Sequence, residues 1–233
     1  MNDRVQTLNH GTAYGHGVSA QQRNKVLRNT YWLLALSMLP TVLGAWIGVS
    51  TGITAAISGG MGLMIFLGGA FGFMFAIEKT KNSAAGVPVL LAFTFFMGLM
   101  LSRLIAMVLG FKNGGDLIMM AFGGTAGVFF VMASLATVIK RDLSGMGKWL
   151  TVGAIVLMVA AIINVFVASS AGMLAISVMA IGIFSAFMLY DLKRIVDGGE
   201  TNYISATLGL YLSIYNVFQS LLILLGIGGG SSD

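Results

Sequence analysis

The stretch 173–192, MLAISVMAIGIFSAFMLYDL, is apolar almost throughout, and its one acidic residue, Asp191, stands next to its end. A membrane-crossing α-helix needs about 20 consecutive, mostly apolar residues. This stretch meets that requirement and therefore predicts a transmembrane helix. The residues on either side of it show how often the chain repeats the pattern.

Six further apolar runs accompany this one along the chain. They cover residues 30–50, 53–77, 87–109, 116–139, 149–167 and 206–227. Composition agrees, since 9% of the residues are charged, whereas soluble domains carry about 25%. We therefore predict an all-α integral membrane domain of seven transmembrane helices over residues 30–227, and exclude a soluble enzyme and a disulfide-rich secreted scaffold. The short connection between the first two runs predicts that these helices pair as a hairpin.

The basic residues set the orientation of the predicted helices. Of 13 Lys and Arg residues, all but Arg103 and Lys112 fall in the N-terminal tail or in the second, fourth and sixth connections. By the positive-inside rule, residues 1–29 form a flexible cytoplasmic tail, helical only near its end. Residues 228–233 then form a short tail on the other side of the membrane. Topology thus explains the net charge of +5 without a nucleic-acid partner.

The chain lacks the residues that most catalytic and metal sites need. It has no Cys, and its two histidines, His10 and His16, both lie in the N-terminal tail. A thiolate site, a buried histidine metal site and a histidine-dependent dyad are therefore excluded. We expect no enzyme activity, no firm metal site and no cofactor, with weak calcium binding at one carboxylate as the exception considered below.

Asp191 is the first candidate functional residue, because an ionisable group within a membrane segment costs about 2.5–3.5 kcal/mol on insertion scales. It is followed by Lys193 and Arg194. One interpretation is an interfacial acid that pairs with a neighbouring cation. The other is a protonatable group that faces the bundle interior and acts in an ion pathway or as a pH sensor.

The seventh run carries the most polar membrane face. Ser213 and Asn216 share one helical stripe with Gly209, and Tyr211 lies on the adjoining stripe. These side chains either join helices through hydrogen bonds or line a water-filled path. With Asp191, they are the ion-pathway or pH-sensor candidates.

Structural roles are predicted for the remaining polar and small residues. Asp116 opens the fourth run, and Asp142 and Ser144 precede the fifth, where each can cap a helix N-terminus or form part of a loop motif. Glycines spaced four apart predict close helix packing. They form the pairs Gly44 and Gly48, Gly68 and Gly72, and Gly123 and Gly127.

Four stretches carry a resemblance to a known family. They are NKVLRNTYWLL at 24–34, GGTAGVFF at 123–130, KRDLS at 140–144 and GGETNYISATLGLYLSIYNVFQSLLILLG at 198–226. On these stretches the chain resembles the bacterial YccA branch of the Bax inhibitor 1/YccA family over essentially its whole length. The resemblance implies a bacterial inner-membrane protein in which six helices wrap around a central seventh.

The resemblance implies two activities. Relatives in the YccA branch modulate FtsH, a membrane-anchored AAA+ protease, as substrates that resist extraction, and the N-terminal tail serves as the handle. Their partners are the lipid bilayer, FtsH and its membrane regulators. Other relatives are pH-sensitive calcium leak channels, gated by one Asp in helix six and one in helix seven.

The carboxyl pair of the channel relatives is only half present in this chain. Tyr190-Asp191 matches the helix-six pattern, but the helix-seven position holds Ser213. Two close carboxyls share a proton because both cannot easily ionise, and Ser213 removes that effect. We therefore expect a modulator of FtsH. A pH-sensitive cation leak channel, with weak calcium binding at Asp191, is the alternative.

Overall fold

The computed structural model describes residues 19–54 and 59–229, and every regular element within these ranges is an α-helix. The helices are α1 (Ala20–Thr51), α2 (Gly59–Thr80), α3 (Gly86–Leu109), α4 (Gly114–Val138), α5 (Met146–Val167), α6 (Ser170–Asp197) and α7 (Tyr203–Gly229). Each is long and apolar enough to cross a bilayer. The predicted seven-helix, all-α membrane fold is confirmed.

The start of α1 and the end of α6 lie outside the apolar runs predicted for these helices. Helix α1 begins at Ala20, where the Ser19 hydroxyl accepts a hydrogen bond from the Gln22 N–H at 3.2 Å. Residues 20–29, the end of the predicted tail, are therefore helical, and a helix was expected near that end. The other parts of the two predicted tails, residues 1–18 and 230–233, lie outside the described residues. Helix α6 continues to Asp197, so that Asp191 lies well within the helix rather than at its end.

The helices run alternately up and down, which brings alternate connections to the same end of the bundle. At the end where α1 and α7 begin, here called the proximal end, the Asn202 amide donates to the Lys81 carbonyl across 3.1 Å. At the opposite, distal end, the Asn113 amide donates to the Gly229 carbonyl across 2.7 Å. The connections rich in Lys and Arg therefore gather at the proximal end.

Helix α7 packs against five of the other six helices. It contacts α1, α2, α3, α4 and α6, whereas α5 packs against α6. Leu210, Val217 and Leu222 of α7 are fully buried. The arrangement implied by the resemblance, six helices around a central seventh, stays a prediction, and α5 contacts α6 rather than α7.

The most extensive helix packing joins α1 and α3. A Cβ on Gly44 of α1 would overlap the carbonyl oxygen of Phe95, and a Cβ on Gly98 of α3 would overlap that of Thr41. These glycines let the two backbones touch, which is how small residues favour helix association in lipid. Helix α1 therefore pairs with α3 rather than with α2, and the predicted hairpin of the first two helices is wrong.

The predicted glycine pairs have different surroundings. A Cβ on Gly48 would overlap the Ser102 side chain, so the pair Gly44 and Gly48 packs closely as predicted. The other two pairs have open space where a Cβ would stand. They are Gly68 with Gly72 and Gly123 with Gly127. Spacing alone therefore does not identify the packed glycines.

Candidate functional site

The side chain of Asp191 faces the central helix. A Cβ on Gly209 of α7 would lie 2.8 Å from Asp191 Oδ2, so the carboxylate rests on the bare backbone of that residue. Among the described residues the carboxylate has no hydrogen bond and no salt bridge. Of the two interpretations left open by the sequence, the structure has the one in which Asp191 points into the bundle.

The two cations that follow Asp191 pair with other acids. Lys193 Nζ lies 2.7 Å from Asp197 Oδ1, one helical turn further along α6. An Arg194 guanidinium nitrogen lies 3.2 Å from Glu200 Oε2, in the α6–α7 connection. The predicted pairing of Asp191 with a neighbouring cation is therefore not formed, because closer carboxylates hold both cations at the proximal end.

The polar stripe of α7 is largely engaged in helix packing. The Tyr211 and Thr41 hydroxyls hydrogen-bond across 2.9 Å, which joins α7 to α1. The Asn216 amide donates to the Leu212 carbonyl of its own helix at 2.8 Å. Ser213 is buried one turn from Gly209. These contacts favour the interhelical interpretation for Tyr211, and they leave a half-buried Asp191 and a buried Ser213 as polar groups on neighbouring helices.

A small polar cavity opens beside this region at the proximal end. Its volume is about 200 Å³. Its polar lining comes from Asp142, Ser144, Tyr190, Lys193, Arg194 and Asp197. None of the ion-pathway candidates lines this cavity. The structure thus brings the α4–α5 connection to the end of α6 without joining the cavity to Asp191.

Asp142 and Ser144 form a turn rather than a helix cap. The Ser144 N–H donates to Asp142 Oδ1 at 2.8 Å, and its hydroxyl donates to Oδ2 at 2.9 Å. These two hydrogen bonds hold the pKa of Asp142 below its ordinary value. Helix α5 begins only at Met146, and its N-cap Gly145 has no side-chain hydrogen bond. Of the two predicted roles, Asp142 and Ser144 therefore have that of a loop motif, because the carboxylate closes on Ser144 before the helix starts.

Asp116 also differs from its predicted role. Helix α4 begins at Gly114, so Asp116 stands inside the first turn, where its charge still meets the favourable end of the helix dipole. The N-cap residue is Asn113, and it makes no side-chain cap hydrogen bond. Its amide instead donates to Gly229 of α7. Capping by Asp116 is therefore corrected to a dipole contact.

The α6–α7 connection contains polar residues whose roles the sequence did not indicate. Gly198 adopts a left-handed conformation, φ 83°, that ends α6 and that residues with a Cβ rarely adopt. Glu200 accepts hydrogen bonds from the Thr201 and Asn202 N–H groups at 3.0 and 2.9 Å, in addition to its salt bridge with Arg194. The Glu200 carboxylate thus stabilises the turn between α6 and α7.

Asn202 starts the central helix and fixes it to another connection. Its Oδ1 accepts hydrogen bonds from the Ile204 and Ser205 N–H groups at 2.9 and 3.1 Å. Its amide donates to the Lys81 carbonyl and to Asn82 Oδ1 in the α2–α3 connection. An Asn just before a helical run is a recognisable N-cap signal, whereas nothing in the sequence marks the contact with residues 81–82.

No group of three or more His, Cys, Asp or Glu residues that could hold a metal ion occurs in the described part of the chain. Weak calcium binding at Asp191 stays a prediction.

Comparisons with known proteins extend over nearly the whole fold. The sequence model of the family described as inhibitor of apoptosis-promoting Bax1 matches residues 23–230. The chain is 38% identical over 224 residues to the modulator of FtsH protease YccA of Escherichia coli (strain K12), which covers 96% of this chain and 97% of the relative. The inner membrane protein YccA of E. coli O6:H1 matches equally well. An uncharacterized membrane protein of Vibrio cholerae is 39% identical over 206 residues, or 88% of this chain and 91% of the relative. The resemblance read from the sequence is confirmed, and the chain belongs to the Bax inhibitor 1 family.

Proposed function

We propose that this protein is a multi-pass protein of the bacterial inner membrane that modulates the AAA+ protease FtsH in membrane-protein quality control, and that it is not an enzyme. One observation carries the proposal. The similarity to the E. coli protein named as a modulator of FtsH covers 96% of this chain. It therefore includes the seven helices and the polar connections between them.

In this proposal the protein inhibits the protease as a substrate that is extracted slowly. Pulling from the N-terminal end must first separate α1 from α3, where the Gly44 and Gly98 backbones lie in direct contact with the facing helix. The next obstacle is α7, which packs against five other helices. While the protease is held by this bundle, other membrane proteins escape degradation.

The proposed orientation places the proximal end, with its basic connections, in the cytoplasm. Residues 1–18 then lie on the cytoplasmic side and serve as the handle that the protease grips, and residues 230–233 lie on the periplasmic side. FtsH, its membrane regulators and the lipid bilayer are the partners in this scheme.

The test follows two lifetimes in cells that contain FtsH, that of this protein and that of a reporter membrane substrate. Overproduction of the full chain is expected to slow degradation of the reporter. Deletion of residues 2–18 leaves the Ser19 cap of α1 in place, and we expect it to lengthen the lifetime of the protein and to abolish inhibition. Cells with an ATPase-deficient FtsH give the baseline.

Two results count against the proposal. Unchanged reporter degradation on overproduction would reject modulation of FtsH altogether. Inhibition that persists, with an unchanged lifetime, after deletion of residues 2–18 would remove the tail from the mechanism.

A cation leak channel is the second candidate, and the position of Asp191 favours it. The carboxylate lies within α6, faces α7 and has no salt bridge in the described residues. Ser213, in place of a second carboxylate, argues against it. Calcium flux into liposomes separates the two functions. Asp191→Asn is the test variant, and Asp197→Asn is the matched control at the exposed end of the same helix. Flux lost only in Asp191→Asn would favour the channel.

A further inference from the structure

The outward face of α1 changes in character along its length. Near the proximal end it carries Lys25 and Arg28, which are both exposed. Trp32 follows one turn after Arg28 and is 73% exposed, and exposed leucines continue the face. These leucines are Leu36, Leu39 and Leu43. At about 100° per residue, all of these side chains fall within about a quarter of a turn. They form one continuous surface, which we call the α1 stripe.

The start of α1 is fixed to the bundle, so that the α1 stripe faces outward. An Arg23 guanidinium nitrogen donates to the Val196 carbonyl of α6 at 3.1 Å. On the same side of the helix, Val26 is buried and belongs to the main apolar core. Residues 20–29 are therefore docked on the bundle through one face, and Lys25 and Arg28 are held on the opposite face.

The order of side chains along the α1 stripe indicates where the membrane surface lies. Exposed tryptophans collect at the interface between hydrocarbon and water, and at Trp32 the stripe changes from basic to apolar. Arg28 precedes Trp32 by four residues, about 6 Å along the helix axis at 1.5 Å per residue. The headgroup layer extends about 5–8 Å beyond the hydrocarbon. The Arg28 guanidinium is therefore at the depth of the headgroups, and the long Lys25 side chain reaches the same layer from one turn further out.

Neither cation of the α1 stripe has a partner within residues 19–54 and 59–229. Lys25 and Arg28 form no salt bridge, hydrogen bond or ring contact there. Helix α1 contains no acidic residue, and the acids at the proximal end are engaged elsewhere. Glu78 binds Lys81, Asp197 binds Lys193, Glu200 binds Arg194, and Asp142 accepts from Ser144. Two neighbouring positive charges thus face the headgroup layer.

We propose that the α1 stripe binds an anionic phospholipid. Arg28 and Lys25 hold the phosphate, which suits a guanidinium because the two groups form parallel, charge-assisted hydrogen bonds. Trp32 packs its ring on the start of an acyl chain while its N–H meets the polar layer. A free phosphate would meet only the two cations, whereas a phospholipid also covers the apolar part of the stripe. We therefore assign the stripe to the lipid.

The test measures how strongly brominated lipids quench the fluorescence of Trp32. The purified protein is placed in vesicles of phosphatidylcholine and phosphatidylglycerol in equal amounts, with bromine on the acyl chains of one lipid at a time. Because the chain has three tryptophans, Trp46→Phe with Trp149→Phe leaves only Trp32. We expect an excess of phosphatidylglycerol around Trp32 of about fivefold, the effect of one basic side chain at an anionic membrane surface. The measurement needs no protease, so its outcome is separate from that of the proposed function.

Two pairs of substitutions in this background locate the binding site. Lys25→Gln with Arg28→Gln is expected to abolish the excess of phosphatidylglycerol, and each single variant should have an intermediate excess. Lys79→Gln with Lys81→Gln is the matched control, because it removes the same charge from the same end of the bundle at the end of α2. It should keep the full excess. Deletion of residues 2–18 should also keep it, since the α1 stripe lies outside that segment.

Melting curves identify any variant that has failed to fold, and the single variants replace the pair if the pair does not fold. Equal quenching of Trp32 by the two brominated lipids in the otherwise unchanged protein would overturn the proposal. So would an excess that persists in folded Lys25→Gln with Arg28→Gln. An excess lost equally in the α2 control would indicate attraction by the overall charge of the proximal end and would also reject the site, as would its loss on deletion of residues 2–18.

Discussion

The carboxylate of Asp191 on α6 rests against the backbone of Gly209 on α7, so closely that a Cβ at position 209 would lie 2.8 Å from Oδ2. The position of Asp191, the only acidic side chain of α6 besides Asp197, therefore depends on residue 209 being a glycine. It also joins Asp191 to the stretch 198–226, which carries part of the family resemblance.

Gly209→Ala is expected to move the Asp191 side chain off its preferred rotamer, at a cost of about 1 kcal/mol. Gly182→Ala is the control, because a Cβ at this α6 position meets nothing within 4 Å, so only the gain in helix propensity remains. Thermal melting in detergent should therefore rank Gly182→Ala above Gly209→Ala. In an Asp191→Ala background the difference should disappear, and a difference that persists would show that Asp191 is not what the new methyl group meets.

The contact between α1 and α3 predicts a larger effect. Gly44→Ala and Gly98→Ala each place a methyl group against a backbone carbonyl, which cannot rotate away. We expect each to lower the free energy of unfolding by about 1–3 kcal/mol, as overpacking does. Gly72→Ala, where a Cβ would stand in open space, serves as the control. Similar melting temperatures for all three variants would contradict the packing described for α1 and α3.

The two roles of Asn202, as acceptor and as donor, predict a graded series of melting temperatures among its variants. Asn202→Ala removes the acceptor for two N–H groups of α7 and the donor to Lys81, and loss of an N-cap alone costs about 1 kcal/mol. Asn202→Asp keeps the acceptor and loses the donor, so its melting temperature should fall between those of Asn202→Ala and the unchanged protein. Asn24→Ala, at an exposed position of α1, should leave the melting temperature unchanged. Identical values for the two Asn202 variants would mean that only one of its two roles affects stability.

The Asp142–Ser144 turn predicts a dependence on pH. The pKa of Asp142 is lowered in the folded protein by hydrogen bonds from the Ser144 N–H and hydroxyl. Its contribution to stability is therefore present above the ordinary Asp pKa of about 3.9 and is lost as the pH falls through the lower, folded value. The difference in melting temperature between the unchanged protein and Asp142→Asn should shrink as the pH is reduced from 7 towards 3. If the difference in melting temperature does not depend on pH, it arises from packing and not from the charge of Asp142.

The sequence was sufficient to predict the class of fold and to predict which connections between helices lie at the same end of the bundle. In a chain with so few charges, long apolar runs such as 149–167 can only be membrane-spanning helices. The basic residues between the runs meet at one end of the bundle. Prediction failed where the outcome depends on which face of a helix meets a neighbour. Gly44 and Gly68 look alike in sequence, yet only the first lies against another backbone.

The candidate site was predictable to a similar degree. Hydropathy singles out Asp191 as an unusual residue in an apolar run, but the direction in which it points depends on the rotation of α6. That rotation is set by contacts distant in sequence, such as Gly209. The capping roles of Asp116 and Asp142 failed for a local reason, since helices α4 and α5 begin at residues that shift both carboxylates away from the cap position.

The preference of α1 for α3 has a consequence for biogenesis. During synthesis α1 and α2 enter the bilayer before α3 exists, so the face of α1 that carries Gly44 has no matching surface until a third hydrophobic segment has been inserted. The smallest intermediate in which that surface is covered therefore has three helices. A ribosome stalled after two of them would expose α1 to the insertion machinery, to chaperones or to a protease.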